Sequence, residues 1–238
     1  MAGTLRVATV PALAGIAGLV HGFEQRLGPA GWEERGAGRA RVTAALADRG
    51  RLHLLKQVHG TVVRNAPWEG RPEGDAAIAD EAGVILGIET ADCLPLLLAD
   101  PVRRRVAAAH AGWRGTAAGV ARAAVAALVE RGSRPTDLVA ALGPGIGPCC
   151  YEVGPELVSQ FGPGGEAFFR PGPRGRPHLD VRAANRAQLR AAGLPEAQVH
   201  DVGDCTHCRA DLYHSYRREG PRAGRMISYV GWAAPSVA

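Results

Sequence analysis

Two imidazoles and a thiol dominate the chemistry that this sequence could do. His59, Cys93 and His110 each lie at the end of a short apolar stretch, and His59 is followed at once by Gly60. Two histidines and one cysteine can hold a zinc ion and leave one position open for water. Their spacings of 34 and 17 residues do not fit a zinc finger, where close pairs bracket the metal, and fit a dispersed catalytic site better. A metal-free alternative uses Cys93 as nucleophile and His110 as base. Asp92, beside Cys93, is a candidate to orient a ligand histidine or hold substrate, or else a turn carboxylate.

Around this set lie glycine-rich turns and arginines. Gly112-Trp113-Arg114-Gly115 opens a helix, so its amides and Arg114 are candidates to bind an anion. Gly143 to Gly147 is a second such turn after a strand, but it matches neither a P-loop nor a dinucleotide fingerprint. Arg217, Arg218 and Arg225 face either an anion or solvent. Cys205-Thr206-His207-Cys208 has the spacing of a metal or redox pair. It lacks a partner pair at zinc-site spacing. Cys149 and Cys150 are distant in sequence, and adjacent cysteines rarely bind one metal together, so no second metal is expected.

The elements that must position these groups follow from periodicity and punctuation. Strands are expected at Leu5 to Pro11, Leu52 to Val58, Val84 to Ile88, Leu94 to Ala99, Val106 to Ala109, Leu138 to Leu142, Val199 to Val202 and Met226 to Val230. Helices are expected over Arg39 to Arg49, Thr116 to Glu130 and Asp180 to Ala192, with a short one from Gly154 to Phe161. Gly28 to Gly38, Arg64 to Asp75 and Gly162 to Pro177 read as loops. No repeat or linker divides residues 1–238, so one α+β domain with mixed sheet is expected.

Composition sets the outer bounds. The 238 residues are 46% hydrophobic and 21% charged, an ordinary globular mixture. The net charge is +5, and Lys56 is the sole lysine among 28 basic residues. Basic runs interleaved with aromatics are absent, which argues against nucleic acid as partner. No stretch approaches the roughly 20 apolar residues of a membrane span, and no signal peptide is read at the N-terminus. Five cysteines in so long a chain do not suggest a disulfide scaffold. A cytoplasmic, reduced protein is the expectation.

Taken together, the motifs resemble a known family, the laccase-like multicopper polyphenol oxidase group, which includes zinc-dependent purine nucleoside enzymes. The resemblance rests on Gln57-Val58-His59-Gly60, Thr90-Ala91-Asp92-Cys93-Leu94-Pro95, and His110-Ala111-Gly112-Trp113-Arg114-Gly115. It continues through Gly143-Pro144, Ile146-Gly147, Tyr151-Glu152-Val153, Asp204-Cys205-Thr206, Ser215-Tyr216-Arg217-Arg218 and Gly224-Arg225, in the family's order. It implies β-sheets flanked by helices in α-β-β-α layers, and zinc (copper by the older family label) on His59, Cys93 and His110. It implies phosphorolysis of adenosine, inosine and 5′-methylthioadenosine, with deamination of adenosine. One bacterial branch resembles a peptidoglycan-precursor amidohydrolase instead. Asp92, Arg114 and Arg39 are the implied catalytic residues; Arg26, Gly143, Arg217 and Arg225 are the implied substrate contacts. The implied partners are a purine nucleoside and phosphate. The chain departs from the family at Glu24-Gln25-Arg26-Leu27-Gly28 and has Gly38-Arg39 where Asn-Arg is usual.

Overall fold

A computed structural model describes residues 5–27 and 36–235. Most of the expected loop from Gly28 to Gly38 therefore lies outside the described residues. Alternation along two central strands explains the architecture. In Leu94–Asp100, Leu94, Leu96 and Leu98 turn to one face, and Leu97 and Ala99 to the other. Arg105–Ala111 does the same, with Ala107, Ala109 and Ala111 against Val106 and Ala108. Such strands are apolar on both faces because both faces are covered.

These two strands are the middle of a six-stranded sheet. Its order is Val199–Asp201, Val139–Leu142, Leu94–Asp100, Arg105–Ala111, Ala76–Ala79 and Val63–Asn65. One face packs on the helices Val120–Glu130 and Val181–Ala191 through Val120, Ala124, Leu128, Val181 and Leu189. The other face meets a five-stranded sheet, ordered Val7–Ala8, Leu19–Glu24, Met226–Trp232, Val84–Thr90 and Arg51–Leu54. Phe23, Leu86, Ile88, Val230 and Trp232 fill that sheet-on-sheet core. The outer face of the second sheet, with Ile85, Ile227 and Tyr229, is capped by Val42 of the helix Ala37–Ala45 and by Leu46. The layers run helix, sheet, sheet, helix, as the resemblance implied.

Local differences from the sequence reading have simple causes. The expected helix Thr116 to Glu130 is two helices, Trp113–Ala118 and Val120–Glu130, because Gly119 takes a left-handed φ of 92° between them. Arg51–Leu54 is shorter than the expected strand, since Leu55 to Gly60 leaves the sheet edge to reach the site. Ala76–Ala79 is a buried strand that periodicity missed, being four residues long and apolar throughout. Asp180 caps the helix Val181–Ala191 by accepting from the Ala183 N–H at 2.9 Å. The expected helix over Gly154 to Phe161 is a 3₁₀ segment, Pro155–Phe161.

One buried histidine makes the fold acid-sensitive. His21 accepts a hydrogen bond from the Val10 N–H at Nε2, 3.0 Å away, and burial pushes its pKa down to about 4. The unfolded chain takes up a proton near the ordinary value of about 6.5, which the folded chain refuses. This contribution is present above that pH and is lost as pH falls toward 4. Between pH 7 and pH 5 it amounts to about 2 kcal/mol. Urea midpoints measured at both pH values should diverge less in His21→Gln, whose amide oxygen accepts the same bond without titrating. An equal divergence in both proteins would refute the assignment.

Candidate metal centre and cavity

Strand register brings two of the expected ligands together. Pro95 pairs with His110 and Leu94 with Ala111, so Cys93, just before Leu94, lies across from the end of the neighbouring strand. His59 arrives from a different sheet. Gln57 carries it in by exchanging two hydrogen bonds with the backbone of Glu89, both 2.8 Å. The result is a group in which one atom each of His59, Cys93 and His110 lie within 4.8 Å of one another. The two imidazoles meet edge to face, with centroids 4.8 Å apart.

The group is held by a residue that sequence reading missed. Asp75 is fully buried and lies just before the strand Ala76–Ala79. Its Oδ1 takes Nδ1 of His110 at 2.8 Å and the His59 N–H at 2.9 Å. Its Oδ2 accepts the N–H groups of Val58 and Gly60 at 3.1 and 2.7 Å. Four donors on one carboxylate hold His59 at its left-handed φ of 63° and leave Nε2 as the free nitrogen of His110. Burial works against the charge on Asp75, but the bonds from His110, Gly60 and Val58 outweigh it and lower its pKa. The only signal for this role was an acid placed between Gly74 and an apolar run.

Charge within the group is polarised the same way. Burial disfavours ionised Cys93, yet hydrogen bonds from His110 and His59 outweigh it and bring the thiol well below its ordinary range. Burial likewise opposes charge on His110, and Asp75 and Cys93 overcome it and raise its pKa. These contacts favour a Cys93 thiolate beside a protonated His110. Gly112 leaves the room: a Cβ there would come within 3.0 Å of both the Cys93 sulfur and Cδ2 of His59.

The group lies in a cavity of about 900 Å³. Trp113, Tyr151 and Tyr216 supply aromatic surface, and Lys56, Arg71, Arg217 and Arg225 supply positive charge. Arg217 stacks over Tyr151 at 5.3 Å, and Arg225 over Tyr216 at 6.0 Å. Asp92 lines the cavity with both carboxylate oxygens engaged, one by the Thr206 hydroxyl and one by the Arg217 N–H, each at 2.6 Å. Lys56, Arg71 and Glu89 were not singled out as site residues, because only the sheet edge collects them, and Gln57 entered only within the family motif.

Four expected site residues do not line the cavity. Arg39 stands behind it, paired with Glu89 at 3.0 Å; Glu89 does line it and also pairs with Arg71. Arg114 lies against the ring of Trp113, 4.3 Å from its centroid. Arg26 is buried on Glu219 and the Ala210 carbonyl. Gly143 is packed among Phe23 and Pro95. Among the described residues, no helix is long and apolar enough to cross a membrane.

Comparison with known proteins is consistent with this geometry. Residues 35–233 match the family described as multi-copper polyphenol oxidoreductase laccase. A purine nucleoside phosphorylase of Deinococcus radiodurans is 44% identical over 196 residues, covering 81% of this chain and 75% of that protein. An adenosine deaminase, RL5, from an unknown prokaryotic organism is 39% identical over 160 residues, covering 66% and 61%. The crystal structure of YlmD from Geobacillus stearothermophilus superposes with a TM-score of 0.82 at 31% identity, covering 92% of this chain and 93% of that one.

Proposed function

Because this chain belongs to the multi-copper polyphenol oxidoreductase laccase family, we propose that it is a zinc-dependent purine nucleoside phosphorylase that also deaminates adenosine. Its substrates are adenosine, inosine and 5′-methylthioadenosine. The observation that carries the proposal is the convergence of His59, Cys93 and His110 on one wall of a cavity that also bears aromatic rings and guanidinium groups. The names of the relatives support the substrate class.

The donor set fits zinc. Two imidazoles and a thiolate, with Asp75 behind one imidazole, make a three-ligand site with a carboxylate-supported histidine. Copper oxidase centres draw on many histidines, and His21, His53, His178, His200, His207 and His214 are all outside this cavity. Zinc bound there supplies a Lewis acid and lowers the pKa of a bound water to about 7.

The chain's own residues do the rest. Trp113, Tyr151 and Tyr216 offer faces for a purine. Arg217 and Arg225 draw phosphate toward the sugar, and Lys56 and Arg71 extend the positive rim. Arg39 acts through Glu89, Arg114 through Trp113, and Arg26 through Glu219. Asp92 fixes the turn that presents Cys93 and ties it to the Arg217 backbone. In phosphorolysis, adenosine and phosphate give adenine and ribose 1-phosphate. In deamination, adenosine and water give inosine and ammonia.

Purified protein supplied with adenosine and phosphate should yield adenine, ribose 1-phosphate and inosine. His59→Ala, Cys93→Ala and His110→Ala should each lower both rates by at least about 100-fold, the scale expected when an electrostatic stabiliser of the reacting group is lost. Absence of these products from the zinc-loaded protein, or undiminished rates in the variants, rejects the proposal. Oxygen uptake with a phenol and stoichiometric copper would support the oxidoreductase reading instead.

A further inference from the structure

Four of the five cysteines are not used by the cavity. Cys149 and Cys150 lie near Cys205 and Cys208, and the four sulfurs are all within 4.8 Å of one another. Cys208 is 3.6 Å from Cys149 and 3.4 Å from Cys150, sulfur to sulfur, and none of the four is in a disulfide. Four thiolates around one zinc at about 2.3 Å have sulfur–sulfur edges of about 3.8 Å. A disulfide would need a pair at about 2.05 Å.

The backbone explains how sequence-distant pairs meet. Gly145 bridges Cys205 in parallel, and the Thr206 N–H donates to the Gly145 carbonyl at 3.1 Å. The Cys150 and Tyr151 N–H groups both donate to the Gly147 carbonyl at 3.0 Å, which curls the chain. In an extended strand adjacent side chains point apart; in this turn Cys149 and Cys150 reach the same centre, contrary to the sequence expectation. Arg209 N–H closes a second turn on the Cys205 carbonyl at 3.0 Å, which brings Cys205 and Cys208 together.

Three further observations point to a ligand. The Gly147 N–H donates to the Cys205 sulfur at 3.2 Å, a bond that favours thiolate. A Cβ on Gly147 would lie 3.3 Å from the Cys149 sulfur and 3.3 Å from Cβ of Cys205, so the backbone packs closely against the cluster. Arg217 reaches the Cys150 carbonyl at 3.5 Å and Arg218 the His207 carbonyl at 2.8 Å, setting positive charge on the same two turns. Cys149 and Cys208 are exposed, which leaves an entry path.

We infer that Cys149, Cys150, Cys205 and Cys208 form a structural tetrathiolate site for zinc, separate from the cavity group. On binding, each thiol releases its proton to solvent and the four sulfurs close the coordination sphere, leaving no open position. The ion staples the turn after Val139–Leu142 to the loop after Val199–Asp201. Those segments carry Ile146, Tyr151, Tyr216 and Arg217 to the cavity wall.

The test isolates this site from the first. The triple variant His59→Ala, Cys93→Ser, His110→Ala is reduced, loaded with zinc chloride and desalted. It should retain one zinc per chain, and X-ray absorption should show four sulfur neighbours at about 2.3 Å. Cobalt(II) loading of the same variant should give thiolate-to-metal charge-transfer bands, a readout that needs no cysteine substitution and no activity. Adding Cys205→Ser and Cys208→Ser should abolish the retained metal. A triple variant without metal, or with nitrogen and oxygen neighbours, or with the four cysteines in disulfides under reductant, overturns the inference. Each of those results leaves the cavity group to be judged by its own activity assay.

Discussion

Asp75→Asn should weaken binding of the proposed zinc by roughly 10- to 100-fold, the usual cost of losing the partner behind a ligating histidine. It also destabilises the chain. Each oxygen of Asp75 serves two donors: Nδ1 of His110 and the His59 N–H on one, the Val58 and Gly60 N–H groups on the other. An asparagine amide keeps one oxygen and turns an NH₂ group toward the other pair. Two donors then face a donor in a fully buried place, at about 1–3 kcal/mol for each group left unsatisfied. The left-handed backbone of His59 loses the bonds that hold it, so one ligand departs from the other two. Competition with a chromophoric chelator measures the affinity, and urea unfolding of the metal-free proteins measures the stability. Wild-type values in both would show that Asp75 does not organise the site.

Gly143→Ala has a comparable effect on folding and a different one on chemistry. A Cβ there would stand 2.3 Å from Cδ1 of Phe23 and 2.7 Å from Cγ of Pro95, closer than any tolerated contact. Phe23 is fully buried between the sheets, and the Gly143 N–H is tied to the Pro95 carbonyl at 2.9 Å, so neither wall can yield cheaply. Overpacking of this kind costs about 3 kcal/mol. The family resemblance implies a substrate contact for the same residue. The two roles separate in kinetics: the fraction that folds should keep the wild-type KM. A stable variant with a raised KM would return Gly143 to the substrate.

The three candidate donors could be picked out because chemistry restricts them: few residue types bind zinc, and these three lie at the ends of apolar runs, and the structure brings them together. The structure adjusts their settings. His110 is inside its strand, Cys93 precedes one, and His59 is in a turn beyond Leu54. Asp75 was illegible because its role exists only after Ala76–Ala79 pairs with Arg105–Ala111. The four-cysteine cluster was hidden for the same reason; the parallel pairing of Val199–Asp201 with Val139–Leu142 and the bridge between Gly145 and Cys205 that continues it bring the two pairs together. Arginines are the hardest type to place from sequence. Arg39, Arg114 and Arg26 are each one residue removed from the cavity or buried elsewhere, and nothing in their local spacing separates them from Arg217 and Arg225, which line it. The layered fold was clearer, since strands apolar on both faces require cover on both sides.

Met226–Trp232 has Leu19–Glu24 hydrogen-bonded along one side and Val84–Thr90 along the other. Two segments synthesised early are therefore joined only by one synthesised late. Until the ribosome has released that stretch, each of them carries a bare edge able to recruit a strand from another molecule. A chain that stops ahead of Met226 lacks this strand, and the second sheet is then split down its middle.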